Sequence, residues 1–94
     1  MRHKLLEKDP RTYAVIFESG DELASGLKQF AEDEKLAGSS FQAIGAVSAV
    51  RLAWFDWEIK GYMTSVELQA QVELVSLIGD IALKESKPTV HAHV

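Results

Sequence analysis

The stretch that decides the fold is Lys87-Pro88-Thr89-Val90-His91-Ala92-His93-Val94. Pro88 favours an extended entry, because proline fixes its own φ and pushes the preceding residue out of the helical region. The residues then alternate, and side chains two apart in a strand share one face. His91 and His93 are therefore predicted to lie on one face of a closing strand.

The His-x-His pair has two interpretations. Neutral imidazole is the commonest metal ligand in proteins, and the spacing lets His91 and His93 converge on one ion. Zinc needs three or four ligands, so the others would have to come from elsewhere in the protein. Taken alone, the pair favours the simpler interpretation, polar residues on a solvated strand face.

Length and composition limit the class of protein. The 94 residues predict a single domain, and the 47% apolar content is typical of a globular chain. The absence of cysteine excludes a disulfide scaffold, a cysteine zinc site and a thiol nucleophile. The start lacks the pattern of a signal peptide, and the apolar runs are too short to span a membrane. We expect a cytoplasmic protein without membrane association.

The charge distribution bears on nucleic-acid binding. A net charge of −4 argues against unaided DNA binding, since phosphate neutralisation supplies most of the affinity. Four of the ten basic residues lie in the first eleven positions, at Arg2, Lys4, Lys8 and Arg11. This segment is either a basic arm for nucleic acid or a solvated tail. Because Glu7 and Asp9 interrupt the run, we favour the solvated tail, and residues 1–11 are predicted to be flexible.

The first half of the chain predicts a turn at Asp9-Pro10-Arg11, a strand over 12–17 and one main helix over about 20–37. Either Ser19, in a capping box with Glu22, or Asp21 would start the helix. The apolar stripe that predicts it consists of Leu23, Leu27, Phe30 and Ala31. Gly38 would end it by supplying a left-handed residue, and the acidic group 32–34 would lie on its solvated face.

The second half reads as a run of strands. Residues 41–57 form a long, mostly apolar run that is broken at Gly45 by a bulge or a close backbone approach. The missing alternation over 43–47 predicts a strand buried on both faces there, and its small residues would let another element or another subunit approach. Trp54 and Trp57 fall on opposite faces, so one of them is expected to be exposed, as at an interface. Residues 62–71 predict a short strand or irregular connection, and residues 72–83 a strand with a bulge at Gly79. A polar turn at 84–87 then makes 72–83 and 89–94 antiparallel neighbours.

These elements predict an α+β domain. A mostly antiparallel sheet of about five to six strands would carry the helix on one face. The face that a single helix leaves uncovered favours oligomerisation.

Three segments in order resemble one family, the plant and prokaryote conserved (PPC, or DUF296) domain. They are Gly45-Ala46-Val47-Ser48-Ala49-Val50, Glu73-Leu74-Val75-Ser76-Leu77-Ile78-Gly79-Asp80-Ile81 and the closing stretch 87–94. The resemblance covers the chain from about Tyr13 onward. It implies a largely antiparallel sheet, a homotrimer and, in plant relatives that also carry an AT-hook, DNA binding in the nucleus.

The resemblance also implies a metal site, with zinc as the expected ion. Of its motifs, His91 and His93 match, whereas a later Gly-Gly-His stretch and the AT-hook do not occur in this sequence. The sequence thus looks like a C-terminally shortened form. His3, Glu73 or Asp80 could complete the site.

The sequence leaves three functions open. The leading one is an oligomeric, DNA-associated or regulatory binding module with a possible metal site at His91 and His93, and no enzymatic activity. One alternative is a metal-dependent enzyme of unidentified substrate, in which His91 and His93 hold zinc with an open position and a carboxylate such as Glu73 acts as the base. The other is a truncated structural remnant without activity. No nucleophile triad or phosphate-binding loop is evident to favour an enzyme.

Overall fold

The computed structural model describes residues 1–8 and 10–94. The elements in chain order are β1 (Arg2–Lys8), β2 (Arg11–Ile16), α1 (Leu23–Asp33), β3 (Gly38–Val47), β4 (Val50–Asp56), β5 (Gly61–Leu68), β6 (Val72–Lys84) and β7 (Lys87–His93). The strands form three sheets, of order β1-β2, β3-β6-β7 and β4-β5. The predicted α+β class with mostly antiparallel pairing is confirmed, but this part of the chain has seven strands rather than five to six.

Two compact units make up the chain. The first consists of Met1–Ser40 and Asp80–His91, and the second of Phe41–Gly79 and Ala92–Val94. Strands β3, β6 and β7 each contribute residues to both units. The units are described separately below.

The first unit opens with a hairpin that sequence reasoning missed. Strand β1 lies inside the stretch predicted to be an arm and pairs antiparallel with β2, from Arg2 opposite Ile16 to Lys8 opposite Arg11. The register shifts between Leu5 and Glu7, which breaks the alternation that would have indicated a strand. The turn predicted at Asp9-Pro10-Arg11 falls partly outside the described residues, because Asp9 is not among them.

Helix α1 is shorter at both ends than the predicted span of 20–37. Its N-cap is Glu22, whose carboxylate accepts hydrogen bonds from the backbone N–H of Ala24 at 2.6 Å and of Ser25 at 3.0 Å. Neither predicted cap holds this position. Asp21 instead accepts from the backbone N–H of Glu18 at 2.9 Å.

Helix α1 ends at Asp33, four residues before the predicted end at residue 37. Gly38, which was predicted to end the helix, is the first residue of β3. Lys35 adopts a left-handed φ of 53°. Its N–H donates to the Glu32 carbonyl at 3.2 Å, and the N–H of Leu36 donates to the Ala31 carbonyl at 2.9 Å. These two bonds form a Schellman motif, which offsets the steric cost of a left-handed lysine.

The predicted apolar stripe of α1 supplies much of the core. Leu27, Phe30 and Ala31 are buried in the first unit, together with Ile81 of β6. Leu77 of β6 is buried in the second unit. The recurrence of apolar residues every three to four positions therefore predicts correctly which face of α1 is buried.

In the second unit, the apolar run 41–57 forms parts of two strands. Residues Ser48 and Ala49 separate β3 from β4, and Gly45 lies within β3. Strand β3 alternates between half-buried and exposed residues, and Ile44 is 83% exposed, so the strand is not buried on both faces. Strand β5 then forms where a short strand or irregular connection was predicted, and it pairs antiparallel with β4.

Strands β6 and β7 are hydrogen-bonded neighbours. The turn between them consists of Glu85 and Ser86, with φ of 52° and 67°. Two consecutive positive φ values are the mark of a type I′ hairpin turn, whose twist matches that of the flanking strands. The polar hairpin turn predicted at 84–87 is confirmed. In the described part of the chain, no helix is long and apolar enough to cross a membrane.

Candidate functional site

The His-x-His pair lies on β7, which runs from Lys87 to His93. Pro88 and Val90 are half-buried, whereas Thr89, His91 and His93 are exposed. Strand geometry accounts for this alternation, because side chains at i and i+2 point to the same face. The strand thus presents the two imidazoles on its more exposed side.

A zinc site needs at least one more ligand from the protein. Among residues 1–8 and 10–94, no three histidine, cysteine, aspartate or glutamate side chains come together in a way that could hold a metal ion. Glu73 and Asp80, two of the candidates from the sequence, lie on the neighbouring strand β6 and are both exposed. The described residues of one chain therefore do not supply a complete set of zinc ligands.

The third candidate ligand, His3, belongs to a different cluster in the first unit. Its Nε2 lies 3.4 Å from Oε1 of Glu34, at the end of α1. Its ring makes edge-on contacts with Phe30, at a centroid distance of 5.0 Å, and with Tyr13, at 5.8 Å. His3 is thus held against α1 by one carboxylate and two aromatic rings.

Glu34 joins this cluster to β2. Its Oε2 accepts a hydrogen bond from the Tyr13 hydroxyl at 3.0 Å, and Nη1 of Arg11 donates to the Tyr13 oxygen at 3.4 Å. The sequence interpretation that placed all of residues 32–34 on a solvated face is therefore wrong for Glu34, which is half-buried. The spacing of four from Phe30 could have indicated this, since residues i and i+4 are neighbours on a helix surface.

The charges are unevenly distributed along the chain. Residues 1–17 contain four basic and two acidic side chains, a net charge of +2. Residues 18–94 contain six basic and twelve acidic side chains, a net charge of −6. Hairpin β1–β2 therefore carries the excess positive charge, although Nε of Arg2 forms an ion pair with Oε1 of Glu18 at 2.7 Å.

Comparison with known proteins identifies the family. The family model described as the Plants and Prokaryotes Conserved (PCC) domain matches residues 6–94. The chain belongs to the PCC domain family. This confirms the resemblance seen in the sequence. A comparison with curated proteins returned no match.

Solved structures share the PCC fold. A metal-containing protein from Archaeoglobus fulgidus is 32% identical, with a TM-score of 0.73 over 81% of this chain and 54% of its own. A PPC protein from Pyrococcus horikoshii is also 32% identical, with a TM-score of 0.72 over 81% of this chain and 52% of its own. A candidate DNA-binding protein from Ralstonia eutropha is 35% identical, with a TM-score of 0.70 over 79% and 50%. The chain thus spans about half the length of these proteins.

Proposed function

We propose that this PCC-domain protein is a DNA-associated binding module that assembles as a homotrimer. The observation that carries the proposal is the family match over residues 6–94, together with the 35% identity to a candidate DNA-binding protein. An oligomer is also favoured by the large apolar side chains that the fold leaves exposed.

Hairpin β1–β2 is the segment best suited to face DNA. A two-stranded ribbon fits the major groove of B-DNA, and residues 1–17 are the part of the chain with net positive charge. The remaining net charge of −6 repels phosphate, so one copy alone would bind weakly. Assembly would bring several copies of the hairpin to one duplex and raise the avidity without any new contact.

The DNA proposal is tested by fluorescence anisotropy with a labelled duplex across a range of salt concentrations. We expect affinity that falls steeply as salt rises from about 50 to 200 mM, because phosphate contacts release counterions. Lys4→Gln, an exposed change on β1, should weaken binding and flatten the salt slope. Lys28→Gln removes the same charge from α1 and is the control. Absence of binding at low salt, or affinity that does not respond to salt, overturns the proposal.

We further propose that His91 and His93 bind a metal ion, with zinc as the expected ion. A relative that is named as metal-containing supports this part. Because the described residues of one chain supply too few ligands, the remaining ones would come from outside them, for example from another copy. Metal content should be measured by mass spectrometry on untagged protein purified without chelator. His91→Ala and His93→Ala should lower the zinc content and His3→Ala should not; equal zinc content in all three variants contradicts the assignment.

A further inference from the structure

The turn end of hairpin β4–β5 carries three aromatic rings in mutual contact. Phe55, near the end of β4, stands directly opposite Tyr62, near the start of β5. The ring of Phe55 makes edge-on contacts with Tyr62, at a centroid distance of 5.3 Å, and with Trp57, the first residue of the turn, at 4.9 Å. Phe55 is half-buried, whereas Trp57 is 80% exposed and Tyr62 68%. We refer to Phe55, Trp57 and Tyr62 as the aromatic corner.

The ring planes of the aromatic corner are nearly perpendicular. Phe55 and Trp57 meet at an interplanar angle of 80°, and Phe55 and Tyr62 meet at 72°. Two rings in a T-shaped contact leave a right-angled recess that is bounded by a face of each ring. A planar group can stack on only one ring of such a pair, whereas a compact, rounded group in the recess contacts both faces. The shape of the aromatic corner therefore suits a substituted ammonium group better than a nucleic-acid base.

The electrostatics of the aromatic corner favour a positively charged ligand. The face of an aromatic ring is the negative part of its quadrupole, so it attracts a cation that lies within about 6 Å of the ring centroid. Segment 56–62 also contains Asp56, Glu58 and Lys60, a net charge of −1, and the whole chain carries −4. These charges attract a cation and repel phosphate. Charge and shape thus point to the same class of ligand.

The turn that carries Trp57 is held by local contacts. Oδ1 of Asp56 accepts a hydrogen bond from the backbone N–H of Glu58 at 2.9 Å, so the Asp56 side chain closes a short turn around Trp57. Asp56 also pairs with Gly61 across the two strands, which closes the hairpin next to the turn. The rings are therefore positioned before a ligand arrives, and such preorganisation lowers the entropic cost of binding.

We propose that the aromatic corner binds a free quaternary ammonium compound. A primary ammonium such as that of lysine is strongly hydrated, whereas the methyl groups of a quaternary ammonium bury apolar surface against the rings while the charge interacts with their faces. Trp57 is the principal contact, because tryptophan gives the strongest cation–π interaction of the aromatic side chains. This site uses none of the residues assigned above to DNA or to metal, so it stands apart from both of those proposals.

The test is an NMR titration with choline, whose head group is a quaternary ammonium. The protein has two tryptophans, Trp54 and Trp57, and each gives one indole N–H signal. Trp54 is an internal reference, because the register places it on the face of the hairpin opposite Phe55 and Tyr62. We expect choline to shift the Trp57 signal saturably, with a Kd on the order of 1 mM, and to leave the Trp54 signal in place. Sodium chloride at the same ionic strength is the salt control and should shift neither signal.

A neutral analogue of choline separates charge from shape. In 3,3-dimethylbutan-1-ol a carbon atom replaces the choline nitrogen, so the two molecules have the same shape and differ in charge. The alcohol should bind at least about tenfold more weakly than choline, because it lacks the cation–π attraction. Equal binding of both molecules means apolar adsorption and overturns the proposal, as does a Trp57 signal that choline leaves in place. A Trp57 signal that responds to a single-stranded oligonucleotide and not to choline assigns the rings to nucleic-acid bases and also overturns it.

Variants of the hairpin locate the site. Tyr62→Leu keeps an apolar side chain and removes one ring face, so it should raise the Kd for choline by about two- to fivefold. Trp54→Leu removes a ring from the opposite face and is the matched control; it should leave the Kd unchanged, and it identifies which indole signal belongs to Trp57. Far-UV circular dichroism verifies the fold of each variant. Equal weakening of choline binding by Tyr62→Leu and Trp54→Leu would contradict a site at the aromatic corner.

Discussion

The hydroxyl of Tyr13 donates a hydrogen bond to Oε2 of Glu34 at 3.0 Å, across 21 residues of sequence. It ties β2 to the residue that caps the C-terminus of α1. The ring of Tyr13 also meets the buried ring of Phe30 edge-on, at a centroid distance of 5.2 Å. One side chain thus contributes both an apolar contact and a polar contact between the hairpin and the helix.

Tyr13→Phe separates these two contributions. The variant keeps the ring contact and removes the donor, so we expect the free energy of unfolding to fall by about 1 kcal/mol, the usual net value of a hydrogen bond. Tyr13→Ala, which also removes the ring, should cost clearly more. The measurement is urea denaturation followed by circular dichroism. Equal stability of Tyr13→Phe and the wild type would show that the bond contributes nothing in solution.

The close approach of Gly26 to the ring of Phe17 predicts how an alanine at position 26 changes the stability of the protein. A Cβ at Gly26 would lie 2.5 Å from Cε1 of Phe17, which is closer than real Cβ contacts. Alanine in place of a helical glycine ordinarily stabilises a helix by about 1 kcal/mol. We expect Gly26→Ala to destabilise the protein instead, because the Phe17 ring must move. The double variant Gly26→Ala with Phe17→Leu should recover part of the loss, and a gain in stability from Gly26→Ala alone would contradict the close contact.

Much of the fold could be predicted from local patterns. The stripe of α1 is a 3.6-residue repeat, so Leu27, Phe30 and Ala31 are found in the core as expected. The turn at Glu85-Ser86 and strand β7 follow from polar residues and Pro88. These features depend on neighbours in sequence, and short-range physics is enough to place them.

The features that were missed depend on contacts between distant residues. Strand β1 has charged residues and a register shift, and only its pairing with β2 makes it a strand. The role of Glu34 depends on Tyr13 and His3, which lie far away in the sequence. In the candidate site, the strand that carries His91 and His93 was predictable, whereas ligands that would come from outside the described residues are beyond any local pattern.

The left-handed conformation of Lys35 predicts that one substitution at this position stabilises the protein. Its φ of 53° is costly for a residue with a Cβ and costs glycine almost nothing. Lys35→Gly should therefore raise the free energy of unfolding by about 1 kcal/mol while the Schellman bonds of Lys35 and Leu36 remain. Lys28→Gly, inside the same helix, is the matched control and should lower it by about the same amount. Thermal unfolding of the two variants measures both changes in stability, which should have opposite signs. If both variants are less stable than the wild type, the left-handed conformation of Lys35 is contradicted.

The N-cap of α1 predicts a dependence on pH. Hydrogen bonds from the backbone N–H groups of Ser25 and Ala24, in that order of effect, hold the pKa of Glu22 below its ordinary value of 4.5. A carboxyl whose pKa is lower in the folded state stabilises the protein above the unfolded pKa, and this stabilisation is lost as the pH falls through the folded pKa. The contribution of Glu22 should thus be complete above the ordinary pKa of 4.5 and should be lost as the pH falls through the lowered pKa of the folded state.

Glu22→Gln tests this dependence directly. At pH 7 we expect the variant to be less stable than the wild type by about 0.5–1 kcal/mol, as for other lost N-caps, with the lower end favoured because the site is exposed and screened. At about pH 3 the difference should shrink, since the wild-type carboxyl is increasingly protonated there. Glu32→Gln removes the same charge near the other end of α1, where a carboxylate opposes the helix dipole, and should show no such loss at pH 7. A Glu22→Gln deficit that persists unchanged at pH 3 would mean that Glu22 contributes through its shape rather than its charge.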